Sequence, residues 1–503
     1  MPINSGSDYI DSLRGRNLKV YLFGELVKEP VDHPMIRPSI NAVAETYELA
    51  VQEPELGSTL SPMTGKSINR FLHIVENADD LVNQNRMQRK LGQLTGTCFQ
   101  RCVGMDALNS IYSTTYEIDL KHGTDYHKKF KEFVKMVQSE NLVIGGAMTD
   151  VKGDRSLTPS QQEDPDMFVH VTKRDNSGVY ISGAKAHQTG CINSHWIIVM
   201  PTMRLREEDK NYALVGAVPA DAEGITYIYG RQSCDTRSTE EGDIDSGNAK
   251  FSGQEAMMIL DNVFIPNERI FMDGEVEFAS MLVERFTCYH RRSYVCKTGL
   301  GDVLIGAAAA IADYNGVSNA SHIKDKLVEM THLNETIFAA GIASSHQAHK
   351  MPAGNYQNDD MLANVCKHNV TRFPYEIGRL AQDIAGGLMV TMPSEKDFRS
   401  PYTGPLLEKY LRGRKGVSTE NRMRILRLIE NMTLGRNAVG YLTESMHGAG
   451  SPQAQRIQIA RQMQLGYKKK LAKDLAGVDE GESNHREQEQ SDYFDRIFGL
   501  KQS

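Results

Sequence analysis

Five short runs in the middle of the chain decide its fold: FVHVT (168–172), GVYISGAK (178–185), HWIIVMPT (195–202), ALVGAVP (213–219) and ITYIYG (225–230). They are rich in β-branched and aromatic residues, which fit the pleated surface of a sheet. Asn, Asp, Gly and Pro separate them, as is typical of the turns between strands. The pattern therefore predicts a β-sheet domain between Met167 and Phe271.

On both sides of these runs, apolar residues recur every three or four positions, which predicts amphipathic helices. Before the sheet this pattern extends from Ser67 to about Lys121 and from Lys128 to about Ser139. After the sheet, the stretches 277–315, 322–349, 364–385 and 418–446 have apolar faces and few helix-breaking residues. The sequence thus predicts an α+β fold that is mostly α: an N-terminal helical bundle, a middle β-domain and a C-terminal helical bundle.

The boundaries between these parts follow from changes in composition. The apolar run 142–148 leads into a segment with glycine and proline, so we place a boundary near Gly146. The predicted divisions are an N-terminal helical domain at 1–145, a β-domain at 146–276, a C-terminal bundle at 277–475 and a polar tail at 476–503. The tail is acidic, and we expect partial disorder there, although YFDRIFGL (493–500) is predicted to dock as a short amphipathic piece.

Composition excludes several classes of function. The chain has 503 residues, of which 40% are apolar and 24% charged, and its formal net charge is −7. These values are ordinary for a soluble globular enzyme and create no field that attracts nucleic acid. Eighteen consecutive apolar residues occur nowhere, and the first residues lack the apolar core of a secretion signal. We expect a cytoplasmic protein that binds neither nucleic acid nor a membrane.

Two cysteines stand close together near the N-terminal side of the chain. Cys98 and Cys102 are four residues apart in TGTCFQRCVGMD (95–106). In a helix both thiols would project from one face, so that one metal centre could hold both. Two small hydrophobic residues on a core face would give the same spacing. The seven cysteines of a chain without an export signal are not expected to form disulfides, which leaves their thiols for metal or redox chemistry.

A second cluster of metal-binding residue types lies in FTCYHRRSYVCKTGLGD (286–302), where Cys288, His290 and Cys296 fall within nine residues. Thiolates are soft ligands that suit an iron-sulfur cluster, whereas zinc sites usually pair ligands two to four residues apart. An imidazole at His290 would bind iron more weakly than a thiolate and would be displaced more easily. A hydrogen-bonded core histidine and packed cysteines explain the same residues about equally well.

The remaining motifs carry a resemblance to a known family. Together with the residues above, MTDVKGDRS (148–156), KAHQTG (185–190), LDNVFIPNERIF (260–271), HRRSYVCKTG (290–299), AQDIAGGLMVTMPSEKD (381–397) and MHGAGSPQAQR (446–456) resemble the 4-hydroxybutyryl-CoA dehydratases over nearly the whole chain. These belong to a flavin family that includes 4-hydroxyphenylacetate 3-monooxygenases, and their fold is similar to that of acyl-CoA dehydrogenases. The resemblance implies a lyase that uses FAD and a [4Fe-4S] cluster for radical dehydration of 4-hydroxybutyryl-CoA to crotonyl-CoA, with a vinylacetyl-CoA isomerase activity.

The same resemblance implies roles for individual residues. The cluster ligands would be Cys98, Cys102, His290 and Cys296, with Cys288 as a substitute. Among the catalytic residues, the resemblance adds Glu255 as an acid; His290 and Glu444, the only carboxylate in LTESMHGAGSPQ (442–453), are the expected bases, and Tyr294, one turn beyond His290, is expected to place its hydroxyl toward the cluster or the substrate. The flavin contacts would be Thr149, Asp150, Arg155, Ser156, His187, Gln188, Thr189, Lys297, Gln382, Asp383, Gly386 and Gly387. The substrate would be an acyl-CoA, and the assembly a homotetramer whose subunits share flavin sites.

Two other functions are open at this point. One is an FAD-dependent monooxygenase that acts on a phenol such as 4-hydroxyphenylacetate, in which the cysteines only pack and a partner reductase supplies reduced flavin. The other is a helical scaffold or binding protein that keeps an enzyme-like fold without its chemistry. The iron and flavin contents of anaerobically purified protein distinguish the three.

Overall fold

The computed structural model describes residues 2–478, in which helices precede and follow two β-sheets. The predicted α+β class with mostly helical content is confirmed. The piece 493–500, predicted to dock, lies outside the described residues, as does most of the predicted tail. The division at residues 145, 276 and 475 stays a prediction.

The N-terminal helices are shorter than the periodicity predicts. They are Gly6–Ser12, Arg37–Gln52, Pro54–Gly57, Ala78–Thr95, Cys102–His122 and Tyr126–Glu140. The prediction of helix from Ser67 onward is wrong in two places. The strand Ser67–Asn69 pairs with Ser58–Leu60, and a loop at 96–101 interrupts the helical pattern. Gly96 causes this interruption because it caps the preceding helix in the left-handed conformation, with φ at 60°.

The β-region consists of two sheets within residues 2–478. The order in the six-stranded sheet is Glu25–Leu26, Val20–Leu22, Ile225–Tyr229, Glu255–Pro266, Gly178–Thr189 and His170–Asp175. The four-stranded sheet has the order Ile270–Asp273, Leu214–Pro219, Trp196–Val199 and Ile144–Ala147. Because strand Ile144–Ala147 pairs with Trp196–Val199, the boundary predicted near Gly146 falls inside a strand.

The hydrophobic core does not divide at residue 146. One large cluster of buried residues joins side chains of the N-terminal helices, such as Phe133, to both sheets, through residues such as Ile198 and Met258. The C-terminal helices have a separate core that includes Leu304 and Ile377. The N-terminal helices and the sheets therefore pack on one common core, and the burial of apolar surface in this core stabilises both.

The C-terminal part is a bundle of long helices followed by short ones. The helices are Val276–Ser293, Cys296–Tyr314, Ser321–His346, Asp360–Val370, Phe373–Ala385, Leu388–Thr391, Glu395–Arg399, Gly404–Tyr410, Thr419–Thr433, Arg436–Ala438, Glu444–His447, Pro452–Gln462 and Leu465–Leu475. A two-residue strand pair, His349–Lys350 with Tyr356–Gln357, joins two of the long helices. The helix predicted at 418–446 ends at Thr433, and a single turn of π-helix, Val439–Thr443, comes before Glu444.

The stretch Val276–Tyr314 is long and apolar enough to cross a membrane by composition alone. However, 67% of its most apolar window is buried inside the structure. Burial of this kind is typical of a core helix in a globular protein.

Two helices approach each other closely at a pair of glycines. A Cβ atom placed on Gly299 would lie 2.1 Å from the Arg89 carbonyl oxygen, and one placed on Gly92 would lie 2.7 Å from the Cys296 carbonyl oxygen. Any side chain at either position would separate the helices Ala78–Thr95 and Cys296–Tyr314. This contact holds the first turn of the second helix, which begins with Cys296 and Lys297, against the N-terminal part of the chain.

We expect the substitution Gly299→Ala to lower the free energy of unfolding by roughly 1–3 kcal/mol, because the new methyl group overpacks this contact. Gly306→Ala is the matched control, since Gly306 lies on the same helix and nothing lies within 4 Å of its added Cβ. The control is expected to stabilise the helix by up to about 1 kcal/mol. Urea unfolding followed by circular dichroism measures both. Equal effects of the two substitutions would show that the helices are not in close contact.

Candidate active site

Cys102 and Cys296 lie side by side. Each is the first residue of a helix, Cys102–His122 and Cys296–Tyr314, and the close packing of helices described above holds Cys296 against the N-terminal part. The Cys102 thiol donates a hydrogen bond to Cys296, which raises the pKa of Cys102 and lowers that of Cys296. The Gln88 side-chain amide donates to Cys102 Sγ at 3.2 Å. The structure thus brings two of the predicted ligands together although they are far apart in the chain.

Cys98 reaches the same region from the loop 96–101. It does not share a helical face with Cys102, so that prediction is wrong: Gln100 has a φ of +66°, which turns the backbone between the two cysteines. Burial, and next to it the charge of Glu444, raises the pKa of Cys98 well above its usual value. The Cys98 thiol lies 3.9 Å from Glu444 Oε1.

His290 lies in the last turn of helix Val276–Ser293 and is fixed from one side. Its Nδ1 is 2.8 Å from Asp106 Oδ2, and the Ser293 hydroxyl donates to the other oxygen of Asp106 at 3.0 Å. A carboxylate on one ring nitrogen is the usual way to orient a histidine that binds a metal through the other nitrogen. The Tyr294 ring packs edge-on against His290, with 5.3 Å between ring centroids.

Cys288 faces elsewhere and does not serve as the substitute ligand in this arrangement. Its thiol donates to the Asn358 carbonyl oxygen at 3.3 Å. It lies two residues from His290 on the same helix, so the two side chains project in different directions. Cys288 is therefore a buried packing residue here.

The donor atoms suit an iron-sulfur cluster better than a single ion. Within residues 2–478, no three His, Cys, Asp or Glu side chains meet closely enough to hold one metal ion. The paired thiols of Cys102 and Cys296 and the imidazole of His290, which Asp106 orients, are soft and borderline donors of the kind that suits iron-sulfur chemistry. The residues present therefore fit a cluster in their chemistry.

Glu444 lies between the other charged and ionisable groups of this region. Its Oε2 accepts a hydrogen bond from Lys297 Nζ at 2.8 Å, while its Oε1 faces Cys98. Lys297 is almost completely buried, with 1% of its surface exposed, so it is not a surface lysine. Burial alone would lower the pKa of Lys297, but the charges of Glu444 and Cys296 raise it above its usual value. A lysine held in this state is a cation at neutral pH.

Glu255 adds a second carboxyl group to the same site. It begins strand Glu255–Pro266 and accepts a hydrogen bond from the Thr189 hydroxyl at 2.7 Å. Burial and the neighbouring charge of Glu444 raise the pKa of Glu255 well above its usual value. Two carboxyl groups in different surroundings, one paired with a lysine and one buried beside a hydroxyl group, are an arrangement that divides acid and base roles in many enzymes.

Some of the flavin contacts implied by resemblance, namely Thr149, His187, Gln188 and Thr189, lie around one end of strand Gly178–Thr189. His187 is exposed at a bulge in this strand and has an unusual positive φ of +35°. Burial and the charges of Lys152 and His447 lower the pKa of His187. The proximity of His447 shows that this end of the strand faces the segment that carries Glu444.

Other members of this set already have partners in the protein. The Asp150 carboxylate binds buried Lys185 and accepts from Thr202. The Gln188 amide donates to the Thr149 and Ala186 carbonyl oxygens. Arg155 and Ser156 lie on an exposed loop, where Ser156 bonds to Asp154.

The contacts from QDIAGGL lie at the end of helix Phe373–Ala385. Gly386, with φ at +80°, and Gly387 are both exposed, and a Cβ atom on either would meet nothing within 4 Å. The space beside both glycines is therefore open to a ligand, while the Gly386 N–H already donates to the Gln382 carbonyl oxygen at 2.9 Å. Gln382 is half-buried, and Asp383 pairs with Lys326 at 2.7 Å.

Sequence reasoning missed three residues of this site. Asp106 orients His290, Gln88 bonds to Cys102, and buried Lys367 lies over the Tyr294 ring at 4.3 Å. Asp106 stands in the quoted motif TGTCFQRCVGMD, so an acidic residue next to a predicted ligand was a usable signal. Gln88 and Lys367 occupy ordinary helical positions, and their partners lie far away in the chain.

Comparison with known proteins agrees with the motifs. The family model for the N-terminal region of 4-hydroxyphenylacetate 3-hydroxylase matches residues 5–272, and the model for its C-terminal region matches residues 279–477. The oxygenase component of 4-hydroxyphenylacetate 3-monooxygenase from Thermus thermophilus is 24% identical over 86% of this chain and 88% of its own length. A structure of such an oxygenase component complexed with FAD has a TM-score of 0.82 at 21% identity, covering 94% of this chain and 98% of that one. At this identity the likeness shows the fold alone.

Two relatives are much more similar. The protein named 4-hydroxybutyryl-CoA dehydratase/vinylacetyl-CoA-Delta-isomerase from Clostridium aminobutyricum is 59% identical over 94% of this chain and 99% of its own length. The structure of an oxygen-tolerant archaeal 4-hydroxybutyryl-CoA dehydratase from N. maritimus has 77% identity and a TM-score of 0.94, and each chain is covered completely. The alternative of a scaffold without chemistry is wrong, and the family resemblance is confirmed: this chain belongs to the 4-hydroxyphenylacetate 3-hydroxylase family and, within it, to the 4-hydroxybutyryl-CoA dehydratases, which are lyases with an isomerase activity.

Proposed function

We propose that this enzyme dehydrates 4-hydroxybutyryl-CoA to crotonyl-CoA and isomerises vinylacetyl-CoA, with FAD and a [4Fe-4S] cluster as cofactors. One observation carries the proposal. Glu444 contacts Lys297, assigned to the flavin by resemblance, and also Cys98, assigned to the cluster. A single carboxylate that touches both groups of residues can act on a substrate that lies between two cofactors.

The reaction defines what the residues must do. Forming crotonyl-CoA from a 4-hydroxyacyl thioester removes one hydrogen from carbon 2, one from carbon 3 and the hydroxyl group from carbon 4, and returns one hydrogen to carbon 4. The balance is the loss of one water. The hydrogen on carbon 3 is not activated by the carbonyl, and hydroxide is a poor leaving group. When bound, FAD would supply reversible one-electron chemistry and the cluster a Lewis acid for the hydroxyl group.

The residues assigned to these cofactors follow from the resemblance and from the geometry above. Cys98, Cys102, His290 and Cys296 would hold the cluster, and the soft donor set supports this assignment. The flavin would be held by Thr149, Asp150, Arg155, Ser156, His187, Gln188, Thr189, Lys297, Gln382, Asp383, Gly386 and Gly387. The lack of side chains at Gly386 and Gly387 suits contact with a phosphate group, because glycine permits close approach.

Protein groups would move the protons. Glu444 would take the proton at carbon 2, because its carboxyl group is held by Lys297 and lies beside Cys98, between the residues assigned to the two cofactors. Glu255 would remain protonated and donate hydrogen bonds or a proton, in agreement with its raised pKa. His290 would serve as a second base, and the Tyr294 hydroxyl would orient the acyl group. The isomerase reaction uses only proton transfer from carbon 2 to carbon 4.

We further propose a homotetramer with flavin sites shared between subunits. In this arrangement the exposed turn at Gly386 and Gly387 would contact the flavin bound to another copy of the chain. The exposure of both glycines supports the idea, because it leaves them accessible to a second copy of the chain.

The decisive experiment is anaerobic purification with quantification of iron, acid-labile sulfide and flavin, followed by assay with 4-hydroxybutyryl-CoA. We expect about four irons and one FAD per chain, by the stoichiometry of the proposed cofactors, and formation of crotonyl-CoA. Intact cofactors without turnover would refute the proposed function. Flavin without iron would favour the monooxygenase alternative.

We expect Cys102→Ser to lose the cluster iron while it retains FAD, because a serine hydroxyl replaces a soft thiolate poorly. Cys234→Ser is the matched control: Cys234 is also a buried cysteine, but its thiol bonds to the Gly230 carbonyl oxygen. Iron per chain is measured anaerobically for both variants. A full iron content in Cys102→Ser would remove Cys102 from the ligand set.

Glu444→Gln is expected to reduce turnover of both substrates by roughly 10²–10⁴-fold, the usual contribution of a general base. Iron and FAD should stay bound. The control is Glu408→Gln, a change at an exposed helical position. With vinylacetyl-CoA in D₂O, deuterium incorporation at carbon 4 reports the proton transfer directly. Wild-type incorporation rates in Glu444→Gln would contradict the assignment.

The ionisation of Glu255 makes the stability of the folded chain depend on pH. Its pKa is raised in the folded state, so the folded chain keeps a proton that the unfolded chain loses as pH rises. Stability contributed by this group is complete below the unfolded pKa and decreases as pH rises toward the folded pKa. Glu255→Gln, which stays neutral, should therefore gain in melting temperature relative to wild type more at about pH 8 than at about pH 5. Glu268→Gln, at an exposed position, is the control, and an equal gain at both pH values would refute the raised pKa.

A further inference from the structure

Lys367 is a buried lysine that the proposed mechanism does not use. It lies on helix Asp360–Val370 and has no solvent exposure. Its Nζ donates a hydrogen bond to the carbonyl oxygen of Ser445, the residue after Glu444. The same Nζ lies 4.3 Å from the centre of the Tyr294 ring, within the range of a cation–π interaction.

The charged and titratable groups around Lys367 come from several elements. Lys297 and Arg291 oppose its charge, whereas Glu444 and Cys366 favour it. Burial, followed by the charge of Lys297, lowers the pKa of Lys367 to about 7. Its bond to a neutral carbonyl does not compensate for this burial as a carboxylate would, and an apolar side chain could fill the space at a lower desolvation cost. The position of this ammonium group therefore calls for an explanation other than packing.

The Tyr294 ring is confined on several sides. His290 packs against one edge at 5.3 Å, and Lys297 Nζ lies 5.4 Å from the ring centre. At the far end, the hydroxyl group passes so close to Gly448 that a Cβ placed there would lie 1.5 Å from the Tyr294 oxygen. These neighbours therefore leave the Tyr294 ring little room to move, and Lys367 covers one face of the ring.

We propose that Lys367 is a positioning residue: its ammonium group links the Tyr294 ring to the backbone after Glu444 and so fixes the Tyr294 hydroxyl relative to Glu444 and His290. The expected effect on catalysis rests on the proposed function, whereas the contacts of Lys367 with Tyr294 and Ser445 do not depend on it. Because two separate contacts of one Nζ are involved, removal of the amino group takes away one support of the ring and one of the Glu444 segment together.

A residue that only fills space would behave differently. Methionine matches the length of lysine and preserves packing, but it neither donates a hydrogen bond nor carries charge. Arginine preserves both properties and forms cation–π contacts well. Glutamine preserves a donor for the Ser445 carbonyl without the charge. These three substitutions separate packing, charge and hydrogen bonding.

The experiment places 3-fluorotyrosine at position 294 and records its ¹⁹F NMR resonance in the full-length holoenzyme. We expect Lys367→Met to shift and broaden this resonance and to lower kcat roughly one hundredfold, the cost of a displacement of about 1 Å in an active site. KM should stay within about threefold of wild type, because the change acts on the reacting geometry. Lys367→Arg should restore a narrow resonance and most of kcat. Lys28→Met, at an exposed position, is the control.

Each outcome decides the proposal. If folded Lys367→Met leaves the resonance unchanged, or leaves kcat within about twofold of wild type, Lys367 is not a positioning residue. If Lys367→Met does not fold, Lys367→Gln takes its place with the same criteria. Gly448→Ala should displace the resonance independently, because the added methyl group collides with the hydroxyl. If the wild-type enzyme lacks dehydratase activity, the proposed function fails, while the ¹⁹F measurement still decides whether Lys367 holds Tyr294.

Discussion

The backbone contact between helices Ala78–Thr95 and Cys296–Tyr314 is the constraint on which the site depends. Without side chains at Gly92 and Gly299 the helices pack backbone to backbone, which leaves the first turn of the second helix next to the loop 96–101. That turn begins with Cys296 and Lys297. The packing therefore places Cys296 next to Cys102 and Lys297 next to Glu444. The two halves of the candidate site are thus consequences of a single helix crossing.

The buried charges form one coupled system. Glu444 stabilises the cation of Lys297, opposes ionisation of Cys98 and Glu255, and partly offsets the repulsion between Lys297 and Lys367. In a low-dielectric interior each of these interactions is stronger than in water. A change at any member therefore alters the protonation of the others. This coupling is consistent with a reaction in which protons move at three carbons of one substrate.

The sequence predicts the class of the fold well, because periodicity depends on local burial. The runs at 178–185 and 225–230 do form strands, and long helices flank the sheets. The relation between Cys98 and Cys102 was not predictable from spacing, since the left-handed conformations of Gly96 and Gln100 convert an expected helix into a loop. The Asp106 contact with His290 joins residues 184 positions apart, and no local pattern reveals such a partner. The roles of the site residues came from resemblance, whereas the residue chemistry alone left packing and metal binding equally plausible.

The fold is shared with flavin-dependent oxygenase components, so it does not by itself determine the chemistry. In the proposed function, the cysteines and their positions in the fold provide the difference. Cys102 and Cys296 are each the first residue of a long helix, and the hydrogen bond between their thiols raises the pKa of Cys102 and lowers that of Cys296. Cys296 is therefore the more readily ionised thiol of the pair, which suits its proposed role as a thiolate ligand. His290 lies instead in the last turn of its helix and is held by a carboxylate. Under the proposed function, the thiols would be the permanent ligands, and the imidazole held by Asp106 would take the single exchangeable position.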